Sequence, residues 1–473
     1  MNAFLAGLGA EALILRRERA VWLALLALAA ATLFSLYTGA ARVAAQKDIA
    51  EAARVEEAQR IEGLKKSLVK LDKGETKEEL PPYRDPRNAA FMGAGPAARV
   101  AALGPRPLAL IATGQSDLYP PVVKVTTASK DSFLFADEIE NPAHLSAGAT
   151  DLAFIVTYVY PLVVLALAFN LLSGEREQGT LAMTLAAARR PGLALAGKFV
   201  ARVAAPIGVT LLASALGVAI FAGAAALASA DFLRLSAVVL VYGLFWAALA
   251  AAIDGLGKSS AFNALTLICA WVALALIAPA AINSLAAFAH PAPSRIDMTL
   301  AARAASTDAD KARDAALARY VEEHPGERHG GGGAREGTLR RLATQEAAFQ
   351  RVEGVIAQHD AQLSRQRALA DRLSFLSPAL LAYGALADIA GAGDARYRDF
   401  LAQIGAFHVE WRAFFLPRAQ AGAPLTAADY DALPRYAEAP ASGAGVMAAL
   451  IGVAAPALLL AALAARGFRR LAP

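Results

Sequence analysis

"FIVTYVYPLVVLALAFNLL" at residues 154–172 runs directly into "SGEREQGTL" at residues 173–181. The first stretch has the length and apolarity of a transmembrane helix, for which about 20 residues are needed. In the second stretch, five of nine residues are charged or glycine. A polar segment between two apolar runs predicts a loop that emerges on one side of a membrane, and the rest of the chain indicates which side.

The overall composition also favours a membrane protein. Of 473 residues, 57% are hydrophobic and only 18% are charged, and the mean hydropathy is +0.42. Soluble domains carry roughly 25% charged residues. The net charge of +5 does not require nucleic acid as a partner, because Lys and Arg beside membrane spans produce the same excess. The single cysteine, Cys269, excludes an intrachain disulfide.

Six segments are long and apolar enough to be transmembrane helices. The predicted division is a cytoplasmic amphipathic segment (1–20), the first span (21–40), a first insertion (41–150), the second span (151–173), a polar loop (174–199), the third to fifth spans (200–288), a second insertion (289–443), the sixth span (444–465) and a tail (466–473). Prolines lie inside four spans, at Pro161, Pro206, Pro279 and Pro456. Each removes a backbone donor and is expected to kink its helix.

Positive charge predicts the orientation of the spans. Six crossings place four basic clusters on one side: Arg16, Arg17 and Arg19; Arg176, Arg189, Arg190 and Lys198; Lys258; and Arg466, Arg469 and Arg470. Cytoplasmic loops carry such an excess, so both termini are predicted to be cytoplasmic and both insertions extracytoplasmic. The first apolar run exceeds the usual core of about 7–15 residues in a signal peptide, so we expect it to remain as a span.

The first insertion is predicted to be mixed α and β. Four residues share one helix face: Ile61, Leu64, Leu68 and Leu71. This face is expected to pack within its own domain, with a coiled coil as the alternative. "PLALIAT" at 107–113 and "VVKVTT" at 122–127 resemble short strands.

The second insertion is predicted to be mainly helical. Thr307 and Asp310 match a capping box before one helix. A longer amphipathic helix is predicted over about 338–376. Four of its residues repeat every seven positions: Leu342, Phe349, Ile356 and Leu363. Such a stripe is typical of a packing seam, either with the first insertion or with a second subunit.

Known catalytic and metal-binding patterns are missing from the sequence. There is no GxSxG or HExxH motif. Four scattered histidines lack metal-ligand spacing and are expected to be solvated: His324, His329, His359 and His408. "DGLGKSS" at 254–260 resembles the end of a phosphate-binding loop, but Ala252 stands where that motif requires glycine. We therefore expect a short cytoplasmic turn there, and if ATP drives the protein, another chain must bind it.

Ionisable residues are almost confined to the ends of the predicted spans. Four of them lie at these ends, where charges are expected to reach water: Asp151, Asp231, Arg234 and Asp254. Proton-coupled carriers and pumps usually bury ionisable groups within their spans. This pattern therefore argues against an ion-driven carrier and against an enzyme embedded in the membrane.

The segment "NLLSGEREQGTLAMTLAAARRPGLALAGKF" at 170–199 resembles the cytoplasmic loop between spans two and three of ABC-2-type transporter permeases. The motif residues are Glu175, Glu177, Gly179, Thr180, Leu181, Pro191, Gly197 and Lys198. The span layout, with "GQSDLYP" at 114–120, "EIENP" at 138–142 and "AQIGAFHVEWRAFF" at 402–415, resembles the subgroup that carries the domain DUF3526. "AAARRPG" departs from the shorter "SxPV"-like stretch of relatives.

The resemblance implies a non-catalytic permease subunit in the bacterial inner membrane. Two such chains, identical or related, would pair in the lipid bilayer, and each would dock on a cytoplasmic ABC ATPase that binds ATP and Mg²⁺. The permease itself would bind no cofactor. The implied docking residues are Glu175, Glu177, Gly179, Thr180, Leu181, Leu185, Arg189 and Arg190. Ser173 would cap a short interfacial helix, with Glu175 and Glu177 in its first turn.

Two further questions stay open on sequence alone. Residues 1–20 form either an amphipathic helix on the inner membrane face or a plain extension of the first span. The protein is either a transporter subunit, with export as the expected direction, or a mechanical transmitter whose outer domains act on an envelope partner. A membrane sensor or scaffold is a third alternative. The sequence does not name a substrate.

Overall fold

The structure is a computed structural model that describes residues 3–75, 80–114, 120–128, 130, 150–187, 190–291, 294–323, 333–439 and 445–471. The described chain is mainly helical. Six of its helices are long and apolar enough to cross a membrane. This confirms the predicted helical membrane protein.

We number the candidate spans 1 to 6 in chain order. They lie at Arg19–Asp72, Leu152–Glu177, Pro191–Phe221, Ala230–Asp254, Ser260–Ala289 and Gly445–Phe468.

The helices are numbered separately from the spans. Helix α1 is Ala3–Arg17, α2 is Arg19–Asp72 and α3 is Ala89–Met92. Span 2 consists of α4 (Leu152–Phe154), a π-helical turn (Ile155–Val159), α5 (Tyr160–Ala168) and α6 (Leu171–Glu177). Helix α7 (Leu181–Ala187) follows, span 3 is α8 (Pro191–Phe221) and span 4 is α9 (Ala230–Asp254). Span 5 consists of α10 (Ser260–Trp271), a π-helical turn (Val272–Ile277) and α11 (Ala278–Ala289).

Two buried tyrosines join spans 2 and 4 at the centre of the bundle. The hydroxyl of Tyr160 donates to the carbonyl of Val239 at 3.2 Å, and that of Tyr242 donates to the carbonyl of Thr157 at 2.9 Å. Thr157 lies one turn before Pro161, which has no N–H to donate back along the helix. Tyr242 therefore bonds to a carbonyl within the π-helical turn that precedes Pro161, and the reciprocal pair fixes the register of the two spans.

Span 5 contains a similar interruption. Its π-helical turn ends two residues before Pro279, and the backbone there bonds from each residue to the fifth one before it. Proline cannot donate, so the carbonyl of Leu274, five residues earlier, loses its intrahelical partner. The hydroxyl of Ser377, from the second insertion, donates to this carbonyl at 2.8 Å.

The first helix continues far beyond the membrane span. Helix α2 has 54 residues and ends at Asp72, so the predicted apolar face lies on the extension of span 1. Ile61 and Leu68 on that face are buried in a second hydrophobic core, together with Val123 and Phe400. The face therefore packs within the domain, as predicted.

One of the two predicted strands is correct. β1 (Arg99–Ala102) pairs antiparallel with β2 (Val122–Val125), which lies within "VVKVTT". The prediction for "PLALIAT" is wrong, because Ala109–Ile111 forms a buried 3₁₀ turn. A short continuous apolar run does not distinguish a strand from another buried segment. The alanine-rich β1 has weak strand propensity and pairs because both of its faces are buried.

The second insertion is mainly helical, as predicted. Its helices are α12 (Arg295–Lys311), α13 (Arg313–Glu323), α14 (Gly333–Leu373), α15 (Pro378–Ala390), α16 (Asp394–Ala421) and α17 (Ala427–Asp431), and α18 (Gly445–Leu471) contains span 6. The predicted capping box at Thr307 is wrong, because Thr307 lies within α12 and its hydroxyl donates to Arg303. The capping box is formed by Ser294 and Asp297, where the apolar span gives way to α12.

Two residues of the heptad stripe on α14, Leu342 and Phe349, pack against α16. Leu342 is buried in the second core. Phe349 contacts the ring of His408 and lies under the guanidinium of Arg412. The prediction that His408 is solvated is wrong, because its side chain is fully buried and its Nε2 lies 2.9 Å from the carbonyl of Ala128. His324 and His329 lie outside the described residues.

Helix α15 belongs to the second insertion but packs inside the bundle. Its buried Ala382 and Ala385 lie against Val238 of span 4 and Val453 of span 6. The helix has 13 residues, too few to cross a bilayer. A segment assigned by sequence to an outer domain therefore forms part of the membrane core.

Candidate functional site

One end of the bundle collects the polar segments that the sequence singled out. Arg176 donates to the carbonyls of Gly257 and Lys258. A Cβ added at Gly467 would press against Gly255. We call this end the foot, defined as residues 3–17, 170–187, 190–202, 254–263 and 466–468. The polar loop, the turn 254–260 and the end of span 6 therefore lie at one end of the bundle.

Asp254, the last residue of span 4, holds the start of α6. Its carboxylate accepts from the backbone N–H groups of Leu172 at 2.7 Å and Ser173 at 3.1 Å, and from the amide of Asn263 at 2.8 Å. The side chain is only 2% exposed. A carboxylate at a helix N-terminus satisfies free N–H groups and interacts favourably with the helix dipole. Asp254 thus joins spans 2, 4 and 5 through one buried group.

The polar loop and the turn 254–260 bind one another. Glu177 accepts from the backbone N–H of Ser260 at 2.7 Å, at the start of span 5. The hydroxyl of Ser260 donates to that of Ser173 at 3.1 Å. Together with the Arg176 contacts, these bonds join side chains of "SGEREQGTL" to the backbone of "DGLGKSS". The turn that resembles part of a phosphate-binding loop is therefore held by its own chain.

Two motif residues form an ion pair inside the foot. The ammonium of Lys198, at the start of span 3, pairs with the carboxylate of Glu175. Their side chains are only 10% and 16% exposed. A pair this sheltered depends on both partners, since removing one leaves a charge with poor solvation. The spacing of Glu175 and Lys198 in the sequence corresponds to a contact between the end of span 2 and the start of span 3.

Gly179 ends α6 in a left-handed conformation. Its φ angle is +71°, a region that side chains with a Cβ rarely adopt. The N–H of Thr180 bonds to the carbonyl of Glu175, and the N–H of Gly179 bonds to that of Arg176. This is the Schellman arrangement that terminates helices. The Gly-Thr pair of the motif therefore has a backbone role in turning the chain into α7.

Helix α1 is attached to the foot by a buried charge. Glu11 is 1% exposed and pairs with Nε of Arg202 at 2.6 Å. Arg202 also donates to the side chain of Asn170 at 2.7 Å. The backbone between α1 and α2 is extended at Glu18. Residues 3–17 therefore form a separate helix rather than a plain extension of span 1.

Glycines allow α1 to lie directly on α8. A Cβ at Gly7 would overlap the backbone carbonyl of Ala194, and one at Gly197 would overlap that of Phe4. The two backbones touch at a distance that no other residue permits. In the Gly-Lys pair of the motif, Gly197 thus allows close packing of α1 on α8, and Lys198 pairs with Glu175.

The implied docking residues lie in different environments. Glu175, Thr180, Leu181 and Leu185 are partly buried, whereas Glu177, Gly179 and Arg190 are exposed. Arg189 lies outside the described residues. Beyond this set, α7 exposes Ala182, Ala186 and Met183, the last with 68% of its surface accessible.

Several sequence predictions about side chains at the ends of the spans are wrong. Ser173 does not cap α6, because the helix begins at Leu171 and Asp254 supplies the cap. Glu175 and Glu177 consequently lie in the last turn of α6 rather than the first. Asp254 does not reach water, and neither does Asp151, which is 3% exposed and accepts from the N–H groups of Phe154 and Thr113.

Asn263, Glu11 and Arg202 were missed by the sequence analysis. Their only signal was polarity at the edge of an apolar run. Within the described ranges, no three His, Cys, Asp or Glu side chains come close enough together to hold a metal ion. The foot offers paired charges and capped helix ends, and its chemistry suits mechanical coupling between helices.

Fold and foot together define a helical membrane protein with an additional folded region outside the spans. Residues 295–438, from α12 to the approach to span 6, match DUF3526, a domain of unknown function. This match covers the second insertion and includes α15. Among curated proteins, none matches the chain significantly.

Proposed function

We propose that this protein is the membrane subunit of an ATP-driven ABC transporter of the ABC-2 type, working in export from the bacterial cytoplasm. A separate cytoplasmic ATPase binds ATP and Mg²⁺ and docks on the foot, and a second permease chain completes the membrane part. The permease binds no cofactor and catalyses no reaction itself. DUF3526 and the sequence likeness of residues 170–199 to permease loops both support this proposal.

The observation that carries the proposal is the connectivity of the foot. Helix α6 is bonded to span 4 through Asp254, to span 5 through Glu177 and to span 3 through Glu175. A force applied to α6 or α7 is therefore passed to three other spans through short polar contacts. A coupling element requires this property, and a solvated loop has no need of it.

Helix α7 offers the surface on which an ATPase would dock. Ala182, Met183 and Ala186 form a small exposed apolar patch, and Arg190 follows it. An exposed methionine adapts its shape to a partner's groove and gains stability by burial there. Arg190 suits acidic residues on the ATPase or lipid headgroups. Leu181 and Leu185 are partly buried on the opposite face of α7, whereas the exposed Met183 contacts the ATPase.

The proposal is tested by Met183→Glu in the full chain, purified with the proteins that accompany it. A charge in the docking patch should reduce ATPase co-purification and permease-stimulated ATP hydrolysis at least tenfold. The matched control is Val409→Glu, since Val409 is 61% exposed on α16, outside the foot. If the two variants retain equal stimulated hydrolysis, the docking proposal is wrong.

A second candidate function is mechanical transmission to an envelope partner without transport. The packing of α15 against spans 4 and 6 favours it, because the DUF3526 region is thereby attached to the helical bundle. Labels on α16 and on span 1 in the assembled complex separate the two functions. ATP-dependent movement of α16 with no change across the spans would favour transmission over transport.

A further inference from the structure

Span 1 is attached to the bundle differently from its neighbours. Spans 2 and 4 are joined by the paired bonds of Tyr160 and Tyr242, and Lys198 joins span 3 to α6 in the foot. Among the described residues, by contrast, no hydrogen bond or ion pair joins residues 19–37 to another span, because the side-chain bonds of this part stay within α1 and α2. Span 1 is therefore held against the other spans by packing alone, which fixes geometry less strictly than a hydrogen bond does.

Two contacts define how spans 1 and 3 lie side by side. The rings of Tyr37 and Phe221 are 6.1 Å apart between their centroids, at the end of the bundle opposite the foot. One turn before Phe221, a Cβ added at Gly217 would press against the side chain of Leu36. Both spans begin at the foot, so they run parallel and these contacts fix their register.

This register places two hydroxyl groups opposite one another, one helical turn closer to the foot. They belong to Thr32 on span 1 and Ser214 on span 3, whose side chains are 0% and 1% exposed. Neither hydroxyl oxygen has a hydrogen-bond partner among the described residues. Neighbouring hydroxyls on the same helices do have one, since Ser35 donates to the carbonyl of Thr32 and Thr210 to that of Pro206. An unpaired buried hydroxyl is costly, so the interface carries two such groups at one level without using them.

The part of α2 outside the bundle carries a folded region with it. The helix continues for 54 residues and contains no proline. Glu57 accepts from the guanidinium of Arg99 at 2.5 Å and from the N–H of Val100 at 2.6 Å, and the Glu57 and Arg99 side chains are only 15% and 10% exposed. Lys65 pairs with Asp431 at 2.6 Å. Because residues of α2 and α16 also share the second hydrophobic core, a tilt of α2 displaces the whole of this region.

We propose that α2 is a lever that tilts on the end of the bundle opposite the foot, and that Thr32 and Ser214 bond to one another in its second position. The pivot is Thr38, whose hydroxyl donates to the carbonyl of Thr150, just before span 2, at 3.2 Å. Thr32 lies less than two helical turns from this point, so a small tilt brings the two hydroxyls together. Hydroxyl groups commonly bond across neighbouring helices inside membranes. The folded region outside the spans follows the tilt.

Distances between pairs of spin labels, measured by pulsed electron paramagnetic resonance, test the lever. In a Cys269→Ser background, Lys66→Cys and Leu233→Cys carry the labels on α2 outside the bundle and at the start of span 4, where both native side chains are exposed. The purified chain in phosphatidylethanolamine and phosphatidylglycerol vesicles should show two distances. Thr32→Val should lower the share of the second distance about threefold, the factor that one interhelical hydrogen bond of average strength supplies. Ser214→Ala should have the same effect and replaces Thr32→Val if that variant does not fold.

Two matched controls accompany this measurement. Thr210→Val removes a hydroxyl that is already bonded within span 3 and should leave the ratio of the two distances unchanged. Labels at Lys66→Cys and Val409→Cys, both on the folded region outside the spans, should show one distance in every variant.

Three outcomes would overturn the inference. A single distance between labels at residues 66 and 233 would mean that α2 has one position. A ratio that neither Thr32→Val nor Ser214→Ala changes would exclude the bond between the two hydroxyls. Two distances between residues 66 and 409 would show that the folded region does not follow α2. No ATPase is present in the experiment, so its result is independent of the proposed docking at the foot.

Discussion

The foot and the α15 insertion both attach separate segments to the bundle, but they use different chemistry. The foot buries charged groups, among them Asp254 and the Glu11–Arg202 pair. The α15 insertion relies on apolar packing and the hydroxyl of Ser377. A buried charge is costly unless it is fully paired, whereas a hydroxyl costs far less. The segments of the foot are therefore expected to move together, and α15 is expected to separate from the bundle more easily than they do.

The largest expected effect comes from Asp254→Ala. This change leaves the backbone N–H groups of Leu172 and Ser173 without an acceptor in a buried site and removes one of the acceptors of the Asn263 amide. We expect a loss of about 3–5 kcal/mol in stability, measured as a lower midpoint of thermal unfolding in detergent. The control is Asp231→Ala, because Asp231 pairs with Arg234 at the partly exposed start of span 4 and should change the midpoint little. Equal effects of the two variants would contradict the view of the foot as a unit of interdependent charges.

A smaller effect is expected from acid on the folded region outside the spans. Burial, reinforced by the nearby Arg412 guanidinium, lowers the pKa of His408 to about 4. The unfolded chain gains a proton near pH 6.5 and the folded one only near pH 4, so stability falls as pH drops through this interval. The decrease should reach about 3 kcal/mol, visible as faster hydrogen exchange in α16.

The variant His408→Gln isolates this contribution. Without the titrating ring, α16 should lose most of the extra exchange between pH 6.5 and pH 4, whatever its stability at neutral pH. An unchanged pH dependence in the variant would show that groups other than His408 destabilise the folded region outside the spans in acid.

The smallest expected effect is that of Ser377→Ala. Loss of the hydroxyl leaves the Leu274 carbonyl without a donor and the Leu380 N–H, at the start of α15, without its cap, and should cost about 2 kcal/mol. Hydrogen exchange in α15 should quicken while exchange in α6 stays the same. The control is Ser374→Ala, whose hydroxyl bonds only within its own turn, to Asp371. If exchange in α15 of the Ser377 variant were equal to or slower than in the unsubstituted protein, the view that α15 is weakly attached to the bundle would be contradicted.

Periodicity and length predicted the elements that repeat. The six spans, the apolar face on the extension of span 1 and the strand within "VVKVTT" follow from local patterns of apolar residues. Short elements were predicted less well. "PLALIAT" became a 3₁₀ turn, and the capping box moved from Thr307 to Ser294, because several positions offer the same local signal and packing selects among them.

The hydrogen-bond partners of the polar groups could not be predicted from the sequence. Ser173 matched a helix cap, yet Asp254, 81 residues later, supplies that cap and Ser173 bonds instead to Ser260. Residues 378–390 fell within the predicted second insertion, and their 13-residue helix is too short to span a bilayer. Only its contact with Leu274 places it at the middle of span 5.

By itself, the sequence determined that this chain is a helical membrane protein, because apolar length and composition act locally and need no partner. It also determined where the backbone ladder would break, since proline lacks a donor wherever it stands. The tertiary structure decided which side chains satisfy the freed carbonyls and buried charges. Ser377 donates to the carbonyl of Leu274, and Lys198 pairs with Glu175. Such pairings depend on which helices become neighbours, since a buried polar group needs a partner that packing brings near.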